Sequence, residues 1–211
     1  MPDGQYSFYL HSDDRTDIAA MATISTISQP LRGEFIRTAA TAGAVVYQVD
    51  ARLPALIPVF FAGQLSAVRL CAVMALVSGT WSSLTGLPDE PENGGAALPV
   101  SPETEYQRRR YTLTLQNDRS GERVESVLTE ASSRLRGDLL RNLIITGLAL
   151  HTTAPELPRL LASMPVPPTS VSELQALVQQ MAGTADVNRA AAAVPDTPAA
   201  SAAPVSGSDT R

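Results

Sequence analysis

Two short stretches place hydrogen-bonding side chains at every second position. In Gln5-Tyr6-Ser7-Phe8-Tyr9-Leu10 they are Gln5, Ser7 and Tyr9; in Arg110-Tyr111-Thr112-Leu113-Thr114-Leu115 they are Arg110, Thr112 and Thr114. Period-two alternation with aromatic and β-branched residues argues for half-buried strands. Successive side chains of a strand point to opposite faces, so Tyr6, Phe8, Leu10, Tyr111, Leu113 and Leu115 face a core and the six polar residues face out. Gln, Ser, Thr and Arg suit the base edges of a nucleic-acid groove, and Arg can grip a guanine with two hydrogen bonds. A solvated sheet face is the competing reading of the same pattern.

A second set of residues suits phosphate. Arg108 and Arg109 extend the second stretch, and Arg32-Gly33 and Arg136-Gly137 each stand at the predicted start of a helix. Unpaired amides and the helix dipole favour anions there. Glu34 and Asp138, in the same first turns, oppose this by compensating the dipole themselves. Arg37 and Arg141 lie one turn further in and read equally well as salt-bridge partners.

Catalytic chemistry has little to stand on. The two histidines, His11 and His151, fall in different elements, and the single cysteine, Cys71, sits in an apolar run as a small core residue. His151 aligns with Tyr47 and reads as a helix-end packing residue. The chain contains no Lys, so no phosphate-cradling GxxxxGK[ST] loop can occur. No Ser, Cys or Thr lies in a recognisable nucleophile setting. The expectation is a non-enzyme without metal or cofactor.

The elements that must position these residues occur twice. Leu31, Arg32, Gly33, Arg37 and Gly43 recur as Leu135, Arg136, Gly137, Arg141 and Gly147, an offset of 104 (135 − 31), and Leu53-Pro54 and Leu56 recur as Leu157-Pro158 and Leu160. Each copy reads as strand, Asp-containing turn (Asp13-Asp14; Asn117-Asp118), helix, short break and second helix, with more helix beyond. In the first copy the helices are predicted over 16–27, 32–49, 53–61 and 65–77, with Trp81 plugging the core edge. The first copy spans residues 1–87 and the second 106–183, closing on an amphipathic helix over 170–182 through Leu174, Leu177, Val178 and Met181. Between them, residues 88–105 combine proline, glycine and acid as a linker does. Residues 184–211 are Ala, Pro, Ser, Thr and Asp with hardly any large apolar side chain, and are expected to stay disordered.

At 211 residues, one or two domains can each bury a core. Net charge is −5, which on its face argues against a nucleic-acid partner, but nine Arg oppose six acids between Tyr106 and Met164. The acidic excess lies in linker and tail, away from the basic stretch. The apolar run from Leu53 to Leu87 is interrupted by Pro54, Pro58, Gly63, Gln64 and Arg69. A charge near a bilayer centre costs roughly 2.5–3.5 kcal/mol, so no membrane span is expected. With no basic n-region and apolar stretch at the N-terminus, the expectation is a soluble cytoplasmic protein.

A five-residue strand followed by two helices leaves two open edges and an unshielded helix face. Pairing the two strands antiparallel and packing the helices together resolves both, and a two-stranded ribbon fits the major groove of B-DNA. Here the chain resembles the ribbon-helix-helix family of DNA-binding proteins. Arg32-Gly33-Glu34-Phe35-Ile36-Arg37 is similar to the opening of that family's second helix, with Gly33 and Gly137 in place of the usual Ser. More narrowly, residues 37–47 (Arg-Thr-Ala-Ala-Thr-Ala-Gly-Ala-Val-Val-Tyr) and Asp50-Ala51-Arg52-Leu53-Pro54 resemble the ParR/StbB group of plasmid segregation adaptors. The tandem arrangement departs from that group, whose members carry one copy and dimerise.

The resemblance implies a mostly α fold with short β: tandem ribbon-helix-helix repeats forming an intramolecular pseudo-dimer with extra helices on each copy. It also implies base contacts from the outer strand residues and phosphate contacts from Arg32, Gly33, Arg108, Arg109, Arg136 and Gly137. The implied partners are double-stranded DNA carrying centromere-like repeats and an actin-like, ParM/StbA-type ATPase filament reached through a C-terminal segment. Repression of the chain's own operon follows too, and a higher oligomer on DNA stays open. Two other readings compete: a ribbon-helix-helix transcriptional repressor or antitoxin, and a helical protein-interaction module whose strands never meet DNA.

Overall fold

The computed structural model describes residues 4–80 and 107–192; Trp81, the linker and residues 193–211 lie outside it. Within the described residues the chain is mostly helical, two tandem copies sharing one two-stranded sheet. Strand β1 (Gln5–His11) of the first copy pairs antiparallel with β2 (Arg108–Thr114) of the second, with Ser7 opposite Thr112 and Phe8 opposite Tyr111. Each strand alone has an apolar face with nothing to cover it; together they bury Phe8, Leu10 and Leu113. Phe8 and Tyr111, direct cross-strand partners, stack with ring centroids 5.2 Å apart.

The strands do not keep the helices' offset. The inward residues Tyr6, Phe8 and Leu10 match Tyr111, Leu113 and Leu115 at an offset of 105 (111 − 6), whereas the N-caps of the following helices, Asp14 and Asp118, stand 104 apart (118 − 14). The turn of the second copy is therefore one residue shorter. That residue sets the pleat: at an offset of 104, apolar Phe8 would correspond to outward-facing Thr112. Both caps work alike, Asp14 accepting from the Asp17 amide to start α1 (Arg15–Ser25) and Asp118 from the Gly121 amide to start α5 (Arg119–Glu130).

The centre of the molecule is the crossing of α2 (Arg32–Val49) and α6 (Arg136–Thr153). Both are almost wholly apolar along their middle turns, from Ala39 to Val46 and from Leu143 to Leu150, and both are buried there. A Cβ on Gly43 would overlap the backbone of Leu143, and one on Gly147 would overlap the backbone of Ala39. The contacts are reciprocal at the same offset, as an isologous interface requires. Glycine recurs at these positions because two helix backbones touch.

Outside the crossing, α3 (Leu53–Phe60) and α7 (Leu157–Ser163) each begin with Leu-Pro, proline being tolerated in a first turn. Each is tied to the first helix of its copy: Thr16 Oγ1 donates to the Pro58 carbonyl at 3.1 Å, and Ser120 Oγ to the Ala162 carbonyl at 3.5 Å. Helix α4 (Ala67–Ser78) packs against α8 (Val171–Ala192), burying Leu70 and Met74 on one side and Leu174 and Val178 on the other. The last helix runs past the expected boundary, since residues 184–192 continue its backbone to Ala192. The apolar run after Leu53 is divided between α3 and α4, with Gly63 at φ +99 in the connection. Among the described residues no helix is long and apolar enough to cross a membrane.

Candidate nucleic-acid interface

The antiparallel register brings the six polar strand residues onto one face as the pairs Gln5–Thr114, Ser7–Thr112 and Tyr9–Arg110. His11 and Arg108 close the row at one end. Gln5, Arg110, Thr112 and Thr114 are exposed, and Ser7 and Tyr9 are half-buried. The arginines reach diagonally across the ribbon. Arg110 donates from Nε (3.2 Å) and a terminal nitrogen (2.9 Å) to Ser7 Oγ. The Arg108 guanidinium lies 3.5 Å above the centre of the Tyr9 ring, a cation–π contact that holds a charge on the same face.

Arg108 and Arg109 therefore divide. Arg108 belongs to the outer face, whereas Arg109 pairs with Leu10 on the reverse side and lies 5.3 Å from the Tyr111 ring centre. A cleft of about 530 Å³ opens beside the Arg108 end, lined in part by Asp13, Asp14 and Asp138. These acids make that flank less attractive to a phosphate than the centre of the ribbon.

The two helix starts carry a duty that the sequence did not reveal. Arg32 Nε donates to the Ile27 carbonyl at 2.8 Å, and Arg136 Nε to the Ala131 carbonyl at 3.2 Å. Each guanidinium thus closes the corner just past the preceding helix, and Arg32 also donates to the carbonyl of Ser25, the last residue of α1, at 3.3 Å. The glycines that follow are not demanded by packing. A Cβ on Gly33 would meet nothing within 4 Å, and one on Gly137 only the Ser7 carbonyl oxygen at 3.4 Å. Neither helix start has a side-chain cap, the N-cap residues being Leu31 and Leu135. Before α2 a 3-10 turn (Gln29–Leu31) takes the Arg32 amide on the Gln29 carbonyl, so an external acceptor there would meet the amides that follow.

One buried ion pair locks the ribbon to the helices. Arg141 on α6 donates to Asp17 Oδ1 on α1, from Nε at 2.7 Å and from a terminal nitrogen at 2.6 Å. The His11 amide at the end of β1 donates to Asp17 Oδ2 at 2.9 Å, and Asp14 lies 3.4 Å from the same guanidinium. Burial pushes the Asp17 carboxyl above the usual range, even though the Arg141 guanidinium and the His11 amide stabilise its charged form. The other copy lacks this lock. Gly121 stands where Asp17 does, and a Cβ there would overlap the Gln116 carbonyl, which the shorter turn draws in. Arg37, equivalent to Arg141, pairs instead with Glu34 on its own helix.

His151 sits in the last turn of α6, edge-on to Phe35 with ring centroids 5.0 Å apart. Cys71 is buried, and burial raises its thiol above the ordinary range, so little thiolate forms. Among the described residues no group of three His, Cys, Asp or Glu could hold a metal ion.

A family model described as plasmid stability protein matches residues 4–74 and again residues 109–178. The two matched stretches begin 105 residues apart (109 − 4) and end 104 apart (178 − 74), the difference that the shortened turn introduces. Neither a curated protein nor a solved structure matches the chain.

Proposed function

Since the chain belongs to the plasmid stability protein family, whose models cover both of its copies, its role lies in plasmid maintenance, and we propose that it acts there as a sequence-specific DNA-binding adaptor for partition. In this reading the ribbon-helix-helix units of the two copies form one intramolecular pseudo-dimer. Its β-ribbon enters the major groove of centromere-like repeats. The observation that carries the proposal is the outer face of the ribbon, where Gln5, Ser7, Tyr9, Arg110, Thr112 and Thr114 converge with Arg108. Two strands about 4.8 Å apart fit a groove about 12 Å wide. First-turn amides at Gly33 and Gly137 would meet the flanking phosphates, while Arg32 and Arg136 shape the corners that present them.

By its likeness to the ParR/StbB group, the adaptor would link bound DNA to an actin-like ATPase filament and repress its own operon. The helices beyond each ribbon unit, α3 and α4 and their counterparts α7 and α8, support an adaptor over a simple repressor, which needs no such extension. The test is the affinity of two variants for the DNA upstream of the gene. Arg110→Ala should lose roughly 1–3 kcal/mol and relax preference at one base pair. Arg108→Ala should weaken binding to every sequence and lower the salt slope by about one. Unchanged affinity in both variants would remove the ribbon from the site.

A further inference from the structure

We propose that the ribbon reads an asymmetric DNA site in a single orientation, with Gln5 and Arg110 as the pair that sets its polarity. The inference rests on the DNA-binding reading above and adds what the ribbon asks of the sequence. An offset of 105 matches inward-facing Tyr6, Phe8 and Leu10 with Tyr111, Leu113 and Leu115, which places the pseudo-two-fold axis at the Ser7–Thr112 pair. A two-fold axis through that pair makes Gln5 equivalent to Arg110 and Tyr9 equivalent to Thr114, each 105 apart (110 − 5; 114 − 9). In a homodimer equivalent positions hold the same residue and must face identical half-sites. Here the two copies are free to differ, and on this face they do.

Only the centre keeps its chemistry, a hydroxyl from Ser7 and another from Thr112. Away from it the ends diverge. Arg110 offers a fork of donors that matches O6 and N7 of guanine, while Gln5 offers one donor and one acceptor that match N6 and N7 of adenine. The arginine is already ordered, its guanidinium held by Ser7 Oγ at 2.9 and 3.2 Å, so little side-chain freedom is lost on contact. The second guanidinium on this face, Arg108 over the Tyr9 ring, lies toward the same end. The opposite end, Gln5 with Thr114, carries no charged side chain. One half of the site should thus hold guanine at the matched position and the other adenine, and the bound chain points one way along the duplex.

Selection from a random duplex library by the full chain tests this. The expected motif is non-palindromic and carries guanine and adenine at positions related by its centre. The wild-type chain should prefer it over either symmetrised duplex by about 5- to 150-fold, the range that one good bidentate contact supplies. Gln5→Arg should turn the preference to the symmetric guanine duplex, and Arg110→Gln to the symmetric adenine duplex. Both side chains are exposed, and an unchanged circular-dichroism melt checks that the variants fold. A palindromic wild-type motif overturns the inference while leaving DNA binding intact, as does a motif that neither variant alters. Failure to enrich any motif overturns sequence-specific DNA binding itself, and this inference with it.

Discussion

Replacing Gly43 with Ala should destabilise the chain, although alanine is the better helix former. In the interior of an exposed helix the change would add roughly 1 kcal/mol of stability. At the α2–α6 crossing the new methyl would stand 2.6 Å from the carbonyl carbon of Leu143 and 2.8 Å from its Cα, with the carbonyl oxygen closer still. Ordinary carbon–carbon contact begins near 3.5 Å, so the backbones must separate by about 1 Å. A backbone cannot rotate aside as a side chain does. Opening the crossing also loosens the packing of Ala39 and Leu143, both buried. Overpacking of this kind costs about 1–3 kcal/mol or more, and the upper end applies when backbone must move. With the propensity gain subtracted, a loss of about 2 kcal/mol remains, a fall of roughly 4–8 °C in Tm for a domain of this size. Gly147→Ala should behave alike, since its Cβ would stand 2.5 Å from Ala39 Cα. Gly33→Ala, whose Cβ meets nothing within 4 Å, is the control and should melt at or slightly above the wild-type temperature. Circular-dichroism melts of the three variants decide the matter. If Gly43→Ala melts as high as Gly33→Ala, the close crossing is wrong.

The remaining predictions concern the ion pairs and the C-terminal residues. Asp17→Asn leaves the Arg141 guanidinium, 20% exposed, with Asp14 at 3.4 Å as its remaining carboxylate beside Asn142 Oδ1 at 3.2 Å. It should cost about 2–3 kcal/mol, below the full penalty for breaking a buried pair because Asp14 and solvent compensate in part; an unchanged Tm would refute the lock. Hydrogen bonds from Arg52 hold the Asp50 carboxyl below its ordinary range. A depressed folded value means stability present above about pH 4 and lost as pH falls through that value, so the urea-midpoint gap between wild type and Asp50→Asn should close on acidification. A gap that widens in acid would contradict it. Deleting residues 193–211 should leave DNA affinity unchanged and abolish co-sedimentation of that DNA with an actin-like filament; retained co-sedimentation would move the contact onto the folded helices.

What the sequence made legible follows from what repeats locally. The bounds Arg32–Val49 for α2 could be read directly, because an apolar run ends at Asp50 and Leu-Pro opens the next helix. The outer face of the ribbon followed from the period of two, since the pleat allows no other assignment once one face is buried. The shortened turn escaped because the offset was taken from the helices, where the coincidences are densest. The Asp17–Arg141 lock joins residues 124 apart, and nothing local to either names the other. Arg32 and Arg136 read as phosphate ligands by charge, but their five-residue reach back to Ile27 and Ala131 depends on a corner that only the packed helices define. The continuation of α8 to Ala192 was hidden by the scarcity of large apolar residues. Alanine propagates a helix already nucleated upstream, which a search for a buried face does not register.

Methylation interference on the DNA upstream of the gene tests most directly whether this ribbon enters the major groove. Methylating guanine N7 blocks that groove alone, and N7 is one of the two atoms an arginine fork would grip. The wild-type chain should be excluded by methylation at one guanine in half of its site, and Arg110→Ala should lose that sensitivity while Arg108→Ala keeps it. Binding that is indifferent to N7 methylation throughout the site would contradict a ribbon in the major groove.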